Sequence, residues 1–325
     1  MAKFVIFTVL LLADVPGAYA SARPLGQVET RLWDSVSAGA NHTCQLMGDG
    51  TVRCWGGNTR GQLGDGTFSV DRLSPVPVAN LSSVKAIAAG LDHTCALRSD
   101  GSVSCWGRND RGQLGQGTTT DQPSAHPVGS LSGVVAIAAG DFHSCALTLT
   151  HTVLCWGFNS NGQLGDGTTT QRLAPVSASG LIFNVNLPHL NVVALTAGGA
   201  HTCALLADSS ARCWGANGSG QLGDGTTTQR LAPALVSGLF NVVALDAGGA
   251  HTCALLVDGT ARCWGENSSG QLGNFMTTDN LTPGLVFSLT GAVAIAAGSA
   301  HTCALLADGT ATCWGANLCV QVGDG

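Results

Sequence analysis

Six times along this chain a His stands two residues before a Cys, and a second Cys follows ten residues later with a Trp directly behind it. The pairs are Cys44/Cys54, Cys95/Cys105, Cys145/Cys155, Cys203/Cys213, Cys253/Cys263 and Cys303/Cys313. Two chemistries suit these residue types. One is a disulfide in every copy; the other is a His-Cys-Cys set for a metal such as zinc. No fourth ligand repeats beside the set, and no Cys-x-x-Cys step occurs, so the metal reading is the weaker. A disulfide follows from turn geometry. In Ala207-Asp208-Ser209 a three-residue hairpin loop ends in a residue at positive φ, and it pairs Leu206 with Ser210. Counting outward, Cys203 faces Cys213 at a non-hydrogen-bonded site, where Cα atoms approach to roughly 4.5 Å. That spacing lies within the range a disulfide accepts. Cys319, the thirteenth cysteine, is left without a mate in this scheme.

Other candidate chemistry is thin. The six repeat histidines (His42, His93, His143, His201, His251, His301) would ring one face as a metal or proton site. Their recurrence in every copy favours a structural role, bonded to backbone. Gly-Gln-Leu-Gly-Asp-Gly-Thr resembles a calcium loop but lacks alternating carboxylates and a closing Glu, so it reads as turn chemistry. No Ser-His-Asp order or paired carboxylates stand out above the repeat, and no cofactor site is expected. Each Trp faces the side of its strand opposite the Cys, and is expected to pack against the next blade.

The elements that must position these residues are short strands. First cysteines lie 51, 50, 58, 50 and 50 residues apart, a period of stacked or radial units. The long interval carries an insertion at residues 182–189, read as a loop. In the fifth copy, residues 243–247, 251–256, 261–264 and 283–287 read as four strands. The Pro in the last suits an outer edge. Four short strands per repeat around an axis predict an all-β propeller of four-stranded antiparallel blades, six of them visible. Residues 21–39 align without gaps onto 230–248, with Pro24 on Pro233. The mature chain therefore starts with a fourth strand that can complete the last blade and close the ring.

Composition narrows the setting. The chain has 325 residues with 45 Gly, 14 basic and 20 acidic residues, and a net charge of −6. Lys3 and Lys85 are its lysines, and no basic run tracks a phosphate backbone, so nucleic acid is not an expected partner. Lys3, the apolar residues 4–13 and Ala18-Tyr19-Ala20 fit a signal peptide over residues 1–20, leaving residues 21–325 as one propeller domain. No second apolar stretch anchors the chain in a membrane, and thirteen cysteines suit a secreted or periplasmic location. Sequons stand at Asn41, Asn80, Asn217, Asn267 and Asn280.

The units resemble the repeats of the regulator of chromosome condensation family. The shared pattern is G-x-x-H-[TS]-C-A-L, then D-G, then C-W-G-x-N-x-x-G-Q-L-G-D-G-T, over nearly the whole mature chain. The resemblance implies a propeller, usually of seven blades. It leaves function open, because such propellers serve unrelated tasks. The founding nuclear member is a nucleotide exchange factor for a small GTPase that binds chromatin. A plant photoreceptor of this type uses tryptophans before the repeat His, where this chain has Leu91-Asp92, Asp141-Phe142 or Gly199-Ala200. A secreted bacterial propeller grips β-lactamase with loops on one face.

Variation among the copies marks a candidate face. Copies four and five are bland before His and after Trp-Gly, with Gly199, Ala200, Gly218, Ser219, Gly249, Ala250, Ser268 and Ser269. Copies one to three carry Asn41, Thr59, Arg60, Leu91, Asp92, Asp110, Arg111, Asp141, Phe142, Ser160 and Asn161. Side-chain diversity on a repetitive face suits recognition, with Phe142 and the arginines as anchors. The expected function is an exported, non-catalytic, monomeric scaffold that binds a protein partner. The alternatives are an exchange-factor-like regulator of a small GTPase and a glycan-acting enzyme using the central channel.

Overall fold

The computed structural model describes residues 35–129, 131–181, 187–317 and 322. The expected signal peptide, the expected closing strand and Cys319 lie outside these residues. The described chain forms six antiparallel sheets in sequence order, five of four strands and the last of three. It is an all-β propeller. The fourth sheet is representative: Val192–Ala197, His201–Leu206, Ala211–Gly215 and Arg230–Leu235, running from the innermost strand to the outermost. The insertion before this sheet includes a single 3₁₀ turn, Pro188–Leu190.

The central hairpin of each blade follows its local chemistry. Leu205 faces Ala211, Ala204 faces Arg212 and Cys203 faces Cys213. Ser209, the last loop residue, sits at φ 63°, and its equivalents Gly259 and His151 at 77° and 56°. In most blades an Asp tightens the turn; Asp258 accepts from the amide and hydroxyl of Thr260.

All six expected disulfides are formed. They are Cys44–Cys54, Cys95–Cys105, Cys145–Cys155, Cys203–Cys213, Cys253–Cys263 and Cys303–Cys313. Their Cα atoms are 4.0–4.1 Å apart, closer than the roughly 4.5 Å of an unbridged pair at such a site. The His-Cys-Cys sets of the first three blades therefore offer a metal no thiolate from Cys54, Cys105 or Cys155, and the same holds in the other three. In the five four-stranded blades the second cysteine also faces the outer strand: Cys54 lies opposite Val76, Cys105 opposite His126 and Cys155 opposite Val176.

The outer strand differs from its expected bounds. In the fifth blade it is Asn280–Leu285 rather than 283–287. The cause is a slip at the Trp: Cys263 faces Gly284, but Gly265 faces Asn280, so extra residues of the outer strand bulge past Trp264. The same slip follows Cys54, Cys105 and Cys155. Pro283 lies inside the edge strand of its blade.

The core is not inside the blades but between them. Five apolar layers each combine the disulfide of one blade, the Leu of its Gly-Gln-Leu-Gly loop and the Trp of the following blade. Trp106, Trp156, Trp214 and Trp264 are completely buried in them. The rings therefore pack against the blade before, not the one after. The pleat puts Cys and Trp on opposite sides of one strand; which side meets which neighbour is set by the turn of the ring.

Candidate functional site

The repeated polar groups come first, because they form the joints. His201 bonds through Nε2 to the hydroxyl of Thr252 in the next blade at 2.9 Å. The equivalent bonds run His42–Thr94, His93–Ser144, His143–Thr202 and His251–Thr302. Thr252 Oγ1 then donates to the carbonyl of Gln221 at 2.9 Å, and Trp264 Nε1 donates to the same oxygen at 2.9 Å. Since the hydroxyl proton is committed to Gln221, its oxygen accepts from the imidazole, which must carry its proton on Nε2. In these five joints Nε2 thus meets a side-chain hydroxyl rather than backbone. A Cβ on Gly198 or Gly248 would overlap the imidazole of His201 or His251, which is why Gly stands three residues before the His.

Burial, reinforced by His201 and His301, pushes the His251 imidazole down to about 3. Burial also lowers His301. These rings are neutral fixtures of the joint, with no proton to move near neutrality.

The candidate face lies at the end of the strands where the turn before His meets the loop after Trp-Gly. A backbone bond ties the two in every blade, as from the amide of Arg108 to Asp92 O and of Phe158 to Phe142 O, both 2.8 Å. On this frame the structure gathers Asp92, Asp110, Arg111 and Phe142 into one cluster. Arg108 donates to Asp110 Oδ1 at 2.9 Å and Oδ2 at 2.7 Å, and reaches Asp92 at 3.4 Å. Its guanidinium lies 4.8 Å from the centre of the Phe142 ring. Phe142 meets Phe158 edge-on at 6.4 Å, and Arg111 lies 5.0 Å from the Phe158 ring. The chain of contacts Asp92–Arg108–Phe142–Phe158–Arg111 sets two edge-on rings between two guanidinium groups across blades two and three. Both cation–ring contacts fall within the distance at which such pairs attract. The hydrogen bond from Arg108 holds the Asp110 carboxyl below its usual range.

The remaining candidates stand apart from the cluster. Arg60 reaches across to Asp121 of the next blade at 3.4 Å. Leu91 and Asp141 take part in a backbone relay, Ala40 to Leu91 to Asp141 to Gly199, that joins the inner turns of blades one to four. Asn41 is exposed on blade one, and the Asn161 side chain bonds Ser160. Two residues were missed by the sequence reading, Arg108 and Phe158. Their signal was the position between Trp-Gly and Asn, occupied by Gly57, Arg108, Phe158, Ala216, Glu266 and Ala316.

The Gly-Gln-Leu-Gly-Asp loops are organised around a buried Asn. Asn217 Oδ1 accepts the Leu222 amide while its Nδ2 donates to Thr226 and Thr228 carbonyls. Asn217 and Asn267 are buried and fully engaged, so the sequons at these positions are not presented for modification. Asp224 pairs with Arg230 at 2.7 Å, as Asp65 does with Arg72 and Asp166 with Arg172. These carboxylates are committed to the fold. Among the described residues no group of three or more His, Cys, Asp or Glu is arranged to hold a metal ion. Nor is any helix there long and apolar enough to cross a membrane.

Taken together, fold and site define a disulfide-stapled β-propeller scaffold with one decorated end. The regulator of chromosome condensation (RCC1) repeat signature matches residues 33–62, 84–113, 134–163, 192–221, 242–271 and 292–321. A second signature of the same repeat matches five segments from 49–97 to 258–305. The chain belongs to the RCC1 repeat family. It is similar to a human protein named probable E3 ubiquitin-protein ligase HERC6, 37% identical over 215 residues, which is 66% of this chain and 21% of that protein. It also resembles the ultraviolet-B receptor UVR8 of Arabidopsis thaliana, 42% identical over 90 residues, 27% of this chain and 20% of the receptor. The chain thus spans about a fifth of the length of these relatives. Among solved structures, yeast RCC1 (Prp20) bound to Kap60 superposes with a TM-score of 0.75 at 24% identity, covering 87% of this chain and 70% of that one. Human WBSCR16 gives 0.73 at 23% identity, covering 83% and 71%. At such identities these likenesses concern the fold.

Proposed function

We propose that this chain is an exported, non-catalytic scaffold that holds a protein partner on the loop end of blades one to three. The observation that carries this reading is the Asp92–Arg108–Phe142–Phe158–Arg111 array, for which blades four and five have only Gly, Ala, Ser and Glu266. Arginine and aromatic side chains held rigid by neighbours are the residues that dominate binding energy at protein interfaces. The joints consume the repeated polar groups, which leaves recognition to the varied ones. Six disulfides support an oxidising compartment, in keeping with the leader-like residues 1–20. The solved complex of yeast RCC1 with Kap60 supports protein binding as a use of this fold.

The test is cross-linking with mass spectrometry on the cleaved, oxidised protein in its own extracellular or periplasmic fluid. A partner cross-linked to blades two and three, lost in Phe142→Ala and kept in Ser219→Ala, is the expected result. Capture that is the same in both variants overturns the assignment of this face. Acceleration of nucleotide release from a small GTPase would overturn the scaffold reading itself.

A further inference from the structure

Two arginines hold the same place in successive loops and meet different surroundings. Arg60 of blade one and Arg111 of blade two each stand two residues after the buried Asn of the loop, Asn58 and Asn109. Both loops lie against the outer strand of the next blade in the same way. A Cβ on Gly61 would run into Pro123, and a Cβ on Gly112 into Leu173, which holds the same position one blade on. Two residues before Pro123 stands Asp121, whose Oδ2 lies 3.4 Å from the Arg60 guanidinium. Two residues before Leu173 stands Gln171, which carries no charge.

Arg111 therefore has a ring where Arg60 has a counter-ion. Its guanidinium lies 5.0 Å from the centre of the Phe158 ring, and its N–H groups have no acceptor among the described residues. The adjacent Asp110 is turned to Arg108, which bonds both of its oxygens and acts on that carboxyl more strongly than Arg111 does. A contact with a ring face uses none of the N–H donors of a guanidinium. In the next three loops the arginine itself is gone, replaced by Asn161, Ser219 and Ser269. Blade two thus presents an exposed guanidinium, held by a ring and lacking a bonded carboxylate, beside the Phe142–Phe158 pair.

We propose that Arg111 receives an Asp or Glu side chain of the partner protein, while an apolar neighbour of that residue lies on the Phe142 and Phe158 rings. This inference rests on the reading of the loop end as a protein-binding face. A carboxylate matches the planar fork of a guanidinium through two parallel N–H···O bonds. The ring contact restricts the arginine beforehand, so less side-chain freedom is lost when the partner docks. Arg108 does not compete for the carboxylate, because Asp110 and Asp92 already occupy its fork. The two arginines differ in their work: Arg108 fixes the Phe142 ring, and Arg111 selects by charge. A lysine offered at the same point meets Arg111 and is rejected.

The experiment titrates the oxidised full chain, its arginine side chains labelled for NMR, with acetyl-Glu-Phe-amide and with the neutral isostere acetyl-Gln-Phe-amide. The expected result is a saturable shift of the Arg111 Nε resonance and about threefold to tenfold tighter binding of the Glu peptide, the range for a partly exposed charge-assisted bond. Gln171→Asp should abolish that preference, because it gives Arg111 the counter-ion that Arg60 has. Gln229→Asp adds the same charge one blade on, where the loop residue is Asn161, and should leave the preference intact. Equal binding of the two peptides, a preference that survives Gln171→Asp, or an Arg111 resonance that does not move overturns the proposal. The face itself is read separately, on the cross-linked partner. A partner lost in Phe142→Ala but kept in both Arg111→Gln and Gln171→Asp leaves the face standing and overturns the carboxylate. A partner kept in all three variants overturns both.

Discussion

Blades two and three and blades four and five are built on one skeleton and differ almost entirely at one end. Below the loops they share the same disulfides, buried tryptophans and His–hydroxyl bonds, position for position. At the loop end the former carry Arg108, Arg111, Phe142 and Phe158, and the latter carry Ala216, Ser219, Ala200 and Glu266. Stability and recognition are therefore separable in this molecule. Side chains facing a neighbouring blade answer to packing; side chains on the loop end answer to whatever lies outside.

That separation can be broken at the joint. Trp214→Ala empties a completely buried site and removes one of the two donors to the Gln163 carbonyl, leaving it the Thr202 hydroxyl. It should cost about 3–5 kcal/mol in a chemical-denaturation experiment. Phe142→Ala, by contrast, should change stability by less than about 1 kcal/mol. The same substitution should weaken partner binding by about 2 kcal/mol, roughly thirtyfold, as read by calorimetry or surface plasmon resonance. A Phe142→Ala that unfolds the protein, or a Trp214→Ala that does not, would merge the two classes of residue.

Acid sharpens the contrast further. His251 is held neutral in the folded protein, with its proton affinity pushed down to about 3, whereas the unfolded chain binds a proton at about 6.5. The folded form is thus fully favoured above pH 6.5 and loses stability as pH falls from there toward 3. The melting temperature should follow that slope, and His251→Asn should flatten it. The Arg108–Asp110 pair on the loop end acts in a lower window. Its carboxyl is depressed below 3.8, so its contribution is present above that pH and is lost only as pH falls further.

The smallest effect concerns the loop pair Asp224–Arg230. Burial works against the charge of Asp224, but the Thr226 hydroxyl and the Arg230 guanidinium outweigh it and hold the carboxyl low. In the fifth blade both partners have changed together, to Asn274 and Asn280, and in the second to Gln116 and Gln122. Asp224→Asn alone should cost about 1 kcal/mol, and adding Arg230→Asn should recover part of it. A double-mutant cycle reads the coupling.

What could be read from the chain before its structure was whatever the backbone settles within one blade. The ten-residue cysteine spacing, the positive-φ residue that ends the loop and the resulting Cys203–Cys213 register are consequences of one hairpin. The contacts between blades were not legible in the same way. Nothing in the local pattern tells Trp264 to face the blade before it, or His201 to choose Thr252. A clue was present: Thr or Ser follows the His in all six copies, at residues 43, 94, 144, 202, 252 and 302. A hydroxyl so constant beside an imidazole must be serving a different imidazole, because neighbours along a strand point to opposite faces. The Arg108–Phe142 contact escaped for a related reason, since it joins loops of two blades thirty-four residues apart.

The joints also have a direction. At each of the five described joints the imidazole gives its proton forward to the next blade, and the hydroxyl and indole of that blade give back to the carbonyl behind. Like a cytoskeletal filament, the described run of blades is polar, each joint reading the same way from one blade to the next. Each joint of such a polymer repeats the contacts of the one before, so a blade copied whole brings the groups for its own joint with it. Duplication of one gene segment of about fifty codons would suffice to add a working blade.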